Sequence, residues 1–190
     1  SGTSGAPAAT PAHPTDDLAG AVSGFADCTG HYLPLACTSN GSRSLDAGRA
    51  ALGVDYDELA KLAFASEPGA GGITLVPYFD GERTPNRPDA TATLSGLTLT
   101  NTTKENMARA FVEGLLCSQR DCLELIRSLG AVIKRILLIG GGAHSAAIRT
   151  LAPSIFGMDV TRPATAASVA IGAARQADWV LSGAPETPTG

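Results

Sequence analysis

Residues 135–143 read RILLIGGGA, and 144–163 continue HSAAIRTLAPSIFGMDVTRP. Arg135 to Gly140 (RILLIG) predicts a short, continuous apolar strand, and a buried one. Gly140, Gly141 and Gly142 then form a turn, and a helix is expected from about Ser145 to Ala152. Pro153 should end or kink that helix, because proline lacks the N–H and its ring crowds the preceding turn. Gly157 suits the following turn, and Val160 falls in another short strand. Residues 166–182 predict a closing alanine-rich helix with Val169, Ala173, Ala177 and Val180 facing inward. Strand, glycine turn, helix, strand, helix is the pattern of parallel βαβ units and sets the fold class as α/β.

Upstream of this unit, residues 103–129 carry the longest helical pattern. Ala108, Phe111, Val112, Leu115, Cys122, Leu123, Ile126 and Leu129 form one stripe, Thr102 and Glu105 have capping-box spacing, and Gly130 stops the helix. Gly114, in its middle, is read as a close-packing position. Ile73–Phe79 predicts a strand and 92–99 a weaker one. Helices are expected over 43–52 and 56–66, the second entered through Asp55 with Glu58 three residues on. Phe25–Asp27 and His31–Leu35 read as a hairpin around Thr29-Gly30. Residues 6–17 (APAATPAHPTDD) read as a loose loop and 183–190 as a frayed tail.

The bulk numbers narrow the class. The 190 residues suit one domain, and 44% apolar with 17% charged residues is a globular composition. With 14 basic against 18 acidic residues and no basic stripe, nucleic acid is not an expected partner. No apolar run approaches the ~18 residues of a membrane span. Cys28, Cys37, Cys117 and Cys122 contain no CxxC pair and have no zinc spacing, so they read as reduced thiols of a cytoplasmic protein.

Three places could carry chemistry. Glycines at the carboxyl end of a strand let a ligand approach the backbone, and the free N–H groups of the following helix favour an anion or polar group. GGGAHS is neither the GxGxxG dinucleotide fingerprint nor a P-loop, and His144 reads as a solvated loop histidine. Gly2-Thr3-Ser4-Gly5 could wrap phosphate oxygens, although the same letters occur in cloning scars. Asp80-Gly81-Glu82-Arg83 reads as an Asp-Gly turn with a surface ion pair.

Taken in order, these segments resemble the carboxyl-terminal half of the FGGY carbohydrate kinases, most nearly the xylulose kinases among them. SGTSG (1–5) is similar to the second phosphate-binding loop of that family, and GFADCTGHYLPL (24–35) to a hairpin. LVPYFDGERTPNRPDATATLSGLTL (75–99) resembles its PY-x-x-GERTP segment, LLIGGGAHSAAIRTLAPSIFGMDVTRP (137–163) its adenosine motif, and AIGAARQADWVLSG (170–183) its closing helix. Two stretches depart from the pattern: APAATPA stands where the family has an apolar strand, and TAASVA (165–170) lacks the usual glutamate.

The resemblance implies an actin-like, ribonuclease-H-like ATPase fold, with residues 1–182 forming the C-terminal domain of a two-domain sugar kinase. It implies ATP and Mg²⁺ as cofactors, with Gly2, Thr3 and Ser4 near the phosphates and Gly140, Gly141, Gly142 and Ala143 at the adenosine. Ser39–Ser44 would also lie near the nucleotide, and Arg83 would support the cleft. No catalytic residue and no protein metal ligand is assigned within these residues, because the family's general-base aspartate lies in a Gly-rich segment preceding the phosphate loop. The implied activity is phosphorylation of D-xylulose, and the implied partners are an N-terminal domain, the sugar and a second copy in a homo-oligomer. A kinase for another sugar or polyol, or a non-catalytic nucleotide-binding or interaction domain, is the alternative.

Overall fold

The computed structural model describes residues 4–164 and 167–185. Gly2 and Thr3 of the phosphate-loop expectation, Thr165 and Ala166 of the TAASVA run, and 186–190 of the tail lie outside the described residues. In chain order the elements are β1 (Val22–Ala26), β2 (Tyr32–Ala36), α1 (Arg43–Leu52), α2 (Tyr56–Ala65), β3 (Thr74–Val76), β4 (Thr93–Ser95), α3 (Lys104–Ser128), β5 (Ile136–Leu137), α4 (Ala146–Phe156), β6 (Val160–Thr161) and α5 (Ser168–Ser182).

The core is built on α3. Val112, Leu115, Leu116 and Leu123 of this helix bury against Leu45 of α1, Leu59 and Ala63 of α2, and Ile148, Leu151 and Phe156 of α4. Farther along, Cys122 and Ile126 of α3 close over Val22 and Ala36 of the hairpin. Gly114 does pack closely: a Cβ there would lie 2.7 Å from the Leu75 carbonyl oxygen. Helix entry is one residue later than the capping-box reading. Thr103 is the N-cap and accepts from the Asn106 N–H, while the Thr102 hydroxyl turns back to the Thr98 carbonyl. The α2 cap is as the spacing predicts, with Asp55 accepting from the Glu58 N–H at 2.8 Å. Arg109, buried on α3, donates to the carbonyls of Ala63 and Ser66 at the end of α2 and pairs with Glu113.

Among the described residues the strands form three two-stranded ladders. β1 and β2 pair antiparallel from Val22↔Ala36 to Ala26↔Tyr32, β3 and β4 pair antiparallel through Leu75↔Leu94, and β5 and β6 pair parallel through Ile136↔Val160 and Leu137↔Thr161. The expected strand over 73–79 is shorter because Pro77 has no N–H for a ladder; Phe79 beyond it stacks on Phe111.

The loose loop expected over 6–17 is instead extended along β2 in its first half. Residues 5, 7, 9 and 11 face 38, 36, 34 and 32, joined by five backbone hydrogen bonds. Gly5 and Thr38 exchange two. Pro7, Pro34 and Pro11 each remove a donor from one of the other rungs, so those rungs keep one bond apiece and the segment is a weakened strand.

Three further expectations change. Helix α4 runs through Pro153 to Phe156 before Gly157 caps it in the left-handed region, because buried Phe156 anchors the last turn in the core. RILLIG is not continuously buried: Leu137 is 51% and Ile139 56% exposed, since β5 has a paired neighbour on one side only. Helix α5 buries none of its residues, and Val169 is 82% exposed.

Candidate functional site

The glycine turn emerges between β5 and α4 because Gly140 adopts φ 84°, ψ −173°, a conformation that residues with a Cβ avoid. Gly141–His144 then make one turn of 3₁₀ helix before Ser145 caps α4 by accepting from the Ile148 N–H. Added Cβ atoms at Gly140, Gly141 or Gly142 would meet nothing within 4 Å, so these glycines fill no packing need. They leave a bare backbone surface, the shape a flat ligand needs to reach main-chain groups. Ala143 differs: its methyl is buried in the protein, and its N–H donates to the Gly140 carbonyl. His144 is exposed.

Arg149, one turn into α4, reaches back and donates to the carbonyls of Ala143 (3.2 Å) and His144 (2.7 Å). It holds the turn against the helix that follows. Sequence reasoning missed it, and a six-residue offset from the turn is the only signal it offers.

The second part of the site is the end of the GTSG loop. Gly5 donates to and accepts from the Thr38 backbone, and its N–H also reaches the Thr38 hydroxyl at 3.2 Å. Gln119 of α3 donates to that same hydroxyl. Gly41 sits directly on the Ser4–Gly5 peptide, where a Cβ would fall 2.5 Å from the Ser4 carbonyl carbon and 2.7 Å from the Gly5 nitrogen. The structure thus brings Ser4 together with the Ser39–Ser44 stretch. No hydrogen bond joins this pair of loops to the glycine turn among the described residues.

The DGERT segment carries the expected surface ion pair, and its glutamate takes no part in it. Asp80 does form an exposed pair, but with Arg43 at 2.8 Å. The Arg83 side chain is exposed, and Glu82 is 2% exposed. The Glu82 carboxylate accepts from the N–H groups of Ser39 and Arg83 and from the Asn40 amide. Its negative charge adds to burial, the larger cause, in pushing the Cys122 thiol up to about 12. Tyr78 is likewise raised by burial, then by Asp121 and Glu82. Nothing in the letters GERT distinguishes a buried glutamate from an exposed one.

All four cysteines are free. Among the described residues, no group of three His, Cys, Asp or Glu is placed to hold a metal ion. No helix among them is long and apolar enough to cross a membrane.

The described residues thus hold a parallel strand–glycine turn–helix–strand unit with an open glycine backbone after its first strand, and a helix-packed hairpin that cradles a Gly/Ser loop. The chain's solved structural relatives are sugar kinases of the actin-like, ribonuclease-H-like fold. The model of the C-terminal domain of the FGGY family of carbohydrate kinases matches residues 8–180, and the chain belongs to that family. It is 40% identical over 183 residues to a xylulose kinase of Streptomyces rubiginosus, covering 96% of this chain and 36% of that protein. It is 35% identical over 178 residues to a xylulose kinase of Haemophilus influenzae, covering 94% and 36%. The crystal structure of xylulose kinase from Bifidobacterium adolescentis superposes with a TM-score of 0.91 at 84% identity, over 99% of this chain and 37% of that one. The chain therefore spans little more than a third of the length of these relatives.

Proposed function

We propose that this chain is the nucleotide-binding domain of an ATP-dependent xylulose kinase, a protein that phosphorylates D-xylulose to D-xylulose 5-phosphate. The observation that carries the reading is the 84% identity to the Bifidobacterium adolescentis xylulose kinase across 99% of the chain. The open glycine backbone supports it, because it can accept an adenosine without displacing any side chain.

In this reading Gly140, Gly141 and Gly142 present main-chain atoms to the adenosine. Ala143 acts from beneath, as the buried residue that seats the turn. Gly2, Thr3 and Ser4 meet the phosphates, with Gly41 against the Ser4–Gly5 peptide and Thr38 bonded to Gly5 behind them. ATP would supply the γ-phosphoryl group when bound, together with Mg²⁺ to neutralise phosphate charge. The chain's own residues position the nucleotide and orient its phosphates, and such positioning is the larger part of catalysis in phosphoryl transfer. The proton acceptor for the attacking sugar hydroxyl is assigned to an aspartate of an N-terminal domain. That domain, or a second copy of the chain, is the partner expected over the exposed apolar side chains of β5 and α5.

Gly141→Val is a clean test. Gly141 has no positive φ and a Cβ there meets nothing, so the variant should fold as the parent does. Its branched side chain would stand where the ligand must approach. ADP affinity by calorimetry should fall at least tenfold, equivalent to about 1.4 kcal/mol. Unchanged affinity in the folded variant would refute the assignment. In a coupled ADP-release assay, D-xylulose-dependent turnover is expected from the chain joined to its N-terminal domain and not from the chain alone.

A further inference from the structure

Glu82 is a buried carboxylate that, among the described residues, pairs with no Lys, Arg or His. Its Oε1 accepts from the Ser39 N–H (2.5 Å) and the Arg83 N–H (2.7 Å), and its Oε2 from Asn40 Nδ2 (3.2 Å). A buried carboxylate without an opposite charge is costly, so its place here needs a reason in the groups that surround it. The backbone under it is rigid. Glu82 and Arg87 exchange two hydrogen bonds of 2.8 Å, and Gly81, at φ 73°, lies so close to the Pro88 carbonyl that no Cβ fits. Asn40 is fully buried as well: its Nδ2 also donates to the Gly81 carbonyl at 2.7 Å, while its Oδ1 has no partner. The residue following Asn40 is Gly41, which rests on the Ser4–Gly5 peptide.

We propose that Glu82 is a positioning residue for the phosphate loop: its buried carboxylate holds Ser39 and Asn40 so that Gly41 and Thr38 seat the Ser4–Gly5 peptide. This rests on the nucleotide reading above and adds to it a residue that touches no ligand. Only an anion serves here, because all three groups around the carboxylate are donors. In Glu82→Gln, the new amide must point one donor at another, and either Ser39 or Asn40 is released. The adenosine turn, carried by β5 and α4, has no hydrogen bond to this cluster and should be unaffected.

The test is ¹H–¹⁵N NMR on the 190-residue chain, parent and Glu82→Gln, with ADP and adenosine as probes. Amide exchange of Gly5 and Ser39 should accelerate at least tenfold in the variant, with the Gly140–Ala143 signals unmoved. ADP affinity should fall at least fivefold and adenosine affinity should not change. Equal losses for both ligands, or no loss for either, would overturn the assignment of Glu82 while leaving the nucleotide reading in place. A parent chain that shifts with neither ligand would overturn both. Gly41→Ala provides the second variant if Glu82→Gln does not fold. It leaves the carboxylate cluster intact but drives a methyl into the Ser4–Gly5 peptide, and it should reproduce the selective loss of ADP.

Discussion

Helices α3 and α5 carry the same kind of signal in the sequence and meet opposite fates. Each shows apolar residues at helical spacing and each contains one glycine, Gly114 in α3 and Gly172 in α5. Helix α3 buries twelve of its 25 residues, with α1, α2, α4 and the hairpin packed around it. Helix α5 buries none of its 15. An apolar stripe states that a face gains free energy by leaving water, about 25 cal/mol per Å². It does not state that the covering surface belongs to the same 190 residues.

The contrast can be broken or sharpened by substitution. The largest effect is expected from Gly114→Val, whose added atoms would press on the Leu75 carbonyl at 2.7 Å and on the Leu75 Cβ at 2.9 Å. Overpacking against backbone should cost about 3 kcal/mol or more, enough to abolish a cooperative thermal transition by circular dichroism. A sharp transition near the parent's would mean that α3 is not the packed centre.

Truncation gives the next step down. Leu116→Ala removes a buried side chain from α3 and should cost about 2–5 kcal/mol in urea denaturation. The paired changes Val180→Ser and Leu181→Ser on α5 should leave the midpoint within about 0.5 kcal/mol. They should instead lower the self-association seen by sedimentation velocity at high concentration, because they remove exposed apolar surface. Destabilisation by the α5 pair as large as that of Leu116→Ala would erase the distinction.

Cys122 reports on α3 through pH. Burial, with Glu82 and Asp121, raises its thiol from the ordinary 9.0 to about 12. The sign follows: below pH 9 both folded and unfolded thiols are protonated and nothing is lost. Above that, the unfolded state releases its proton first, and the folded state loses up to about 1.4 kcal/mol per pH unit until about 12. Cys122→Ala should flatten this alkaline decline, and a thiol reagent at pH 8 should modify exposed Cys28 and Cys117 well before Cys122. The smallest effect is Gly172→Ala, where a Cβ meets nothing and helix propensity alone acts. It should stabilise α5 by about 0.5–1 kcal/mol, read as slower amide exchange within that helix. Gly114→Ala should move stability the other way.

The glycine turn was legible for a local reason. Gly140 needs φ 84° whatever surrounds it, and three glycines ahead of a Ser-capped helix form a turn by their own chemistry. The resemblance placed Gly41 only within the Ser39–Ser44 stretch, and Glu82, Arg149 and Gln119 were not legible as site residues. Their roles arise from contacts 36, 43 and 81 residues away in the chain (Gly41 on Gly5, Ser39 on Glu82, Gln119 on Thr38), or from a side chain folding back on its own turn. A glutamate after a glycine reads as solvated until the fold shows three donors around it.

The sequence by itself determined the α/β class, the places of α1 to α4, the Asp55 cap and the glycine turn. All of these rest on periodicity, capping chemistry and backbone freedom, which act within a few residues. Tertiary structure alone decided that Pro153 stays inside a helix because Phe156 is anchored, and that a proline-rich stretch lies along β2 on single-bond rungs. It also decided that α5 and the outer side of β5 stay uncovered. Those outcomes depend on which surfaces meet, and a stripe of apolar residues carries no address for its partner.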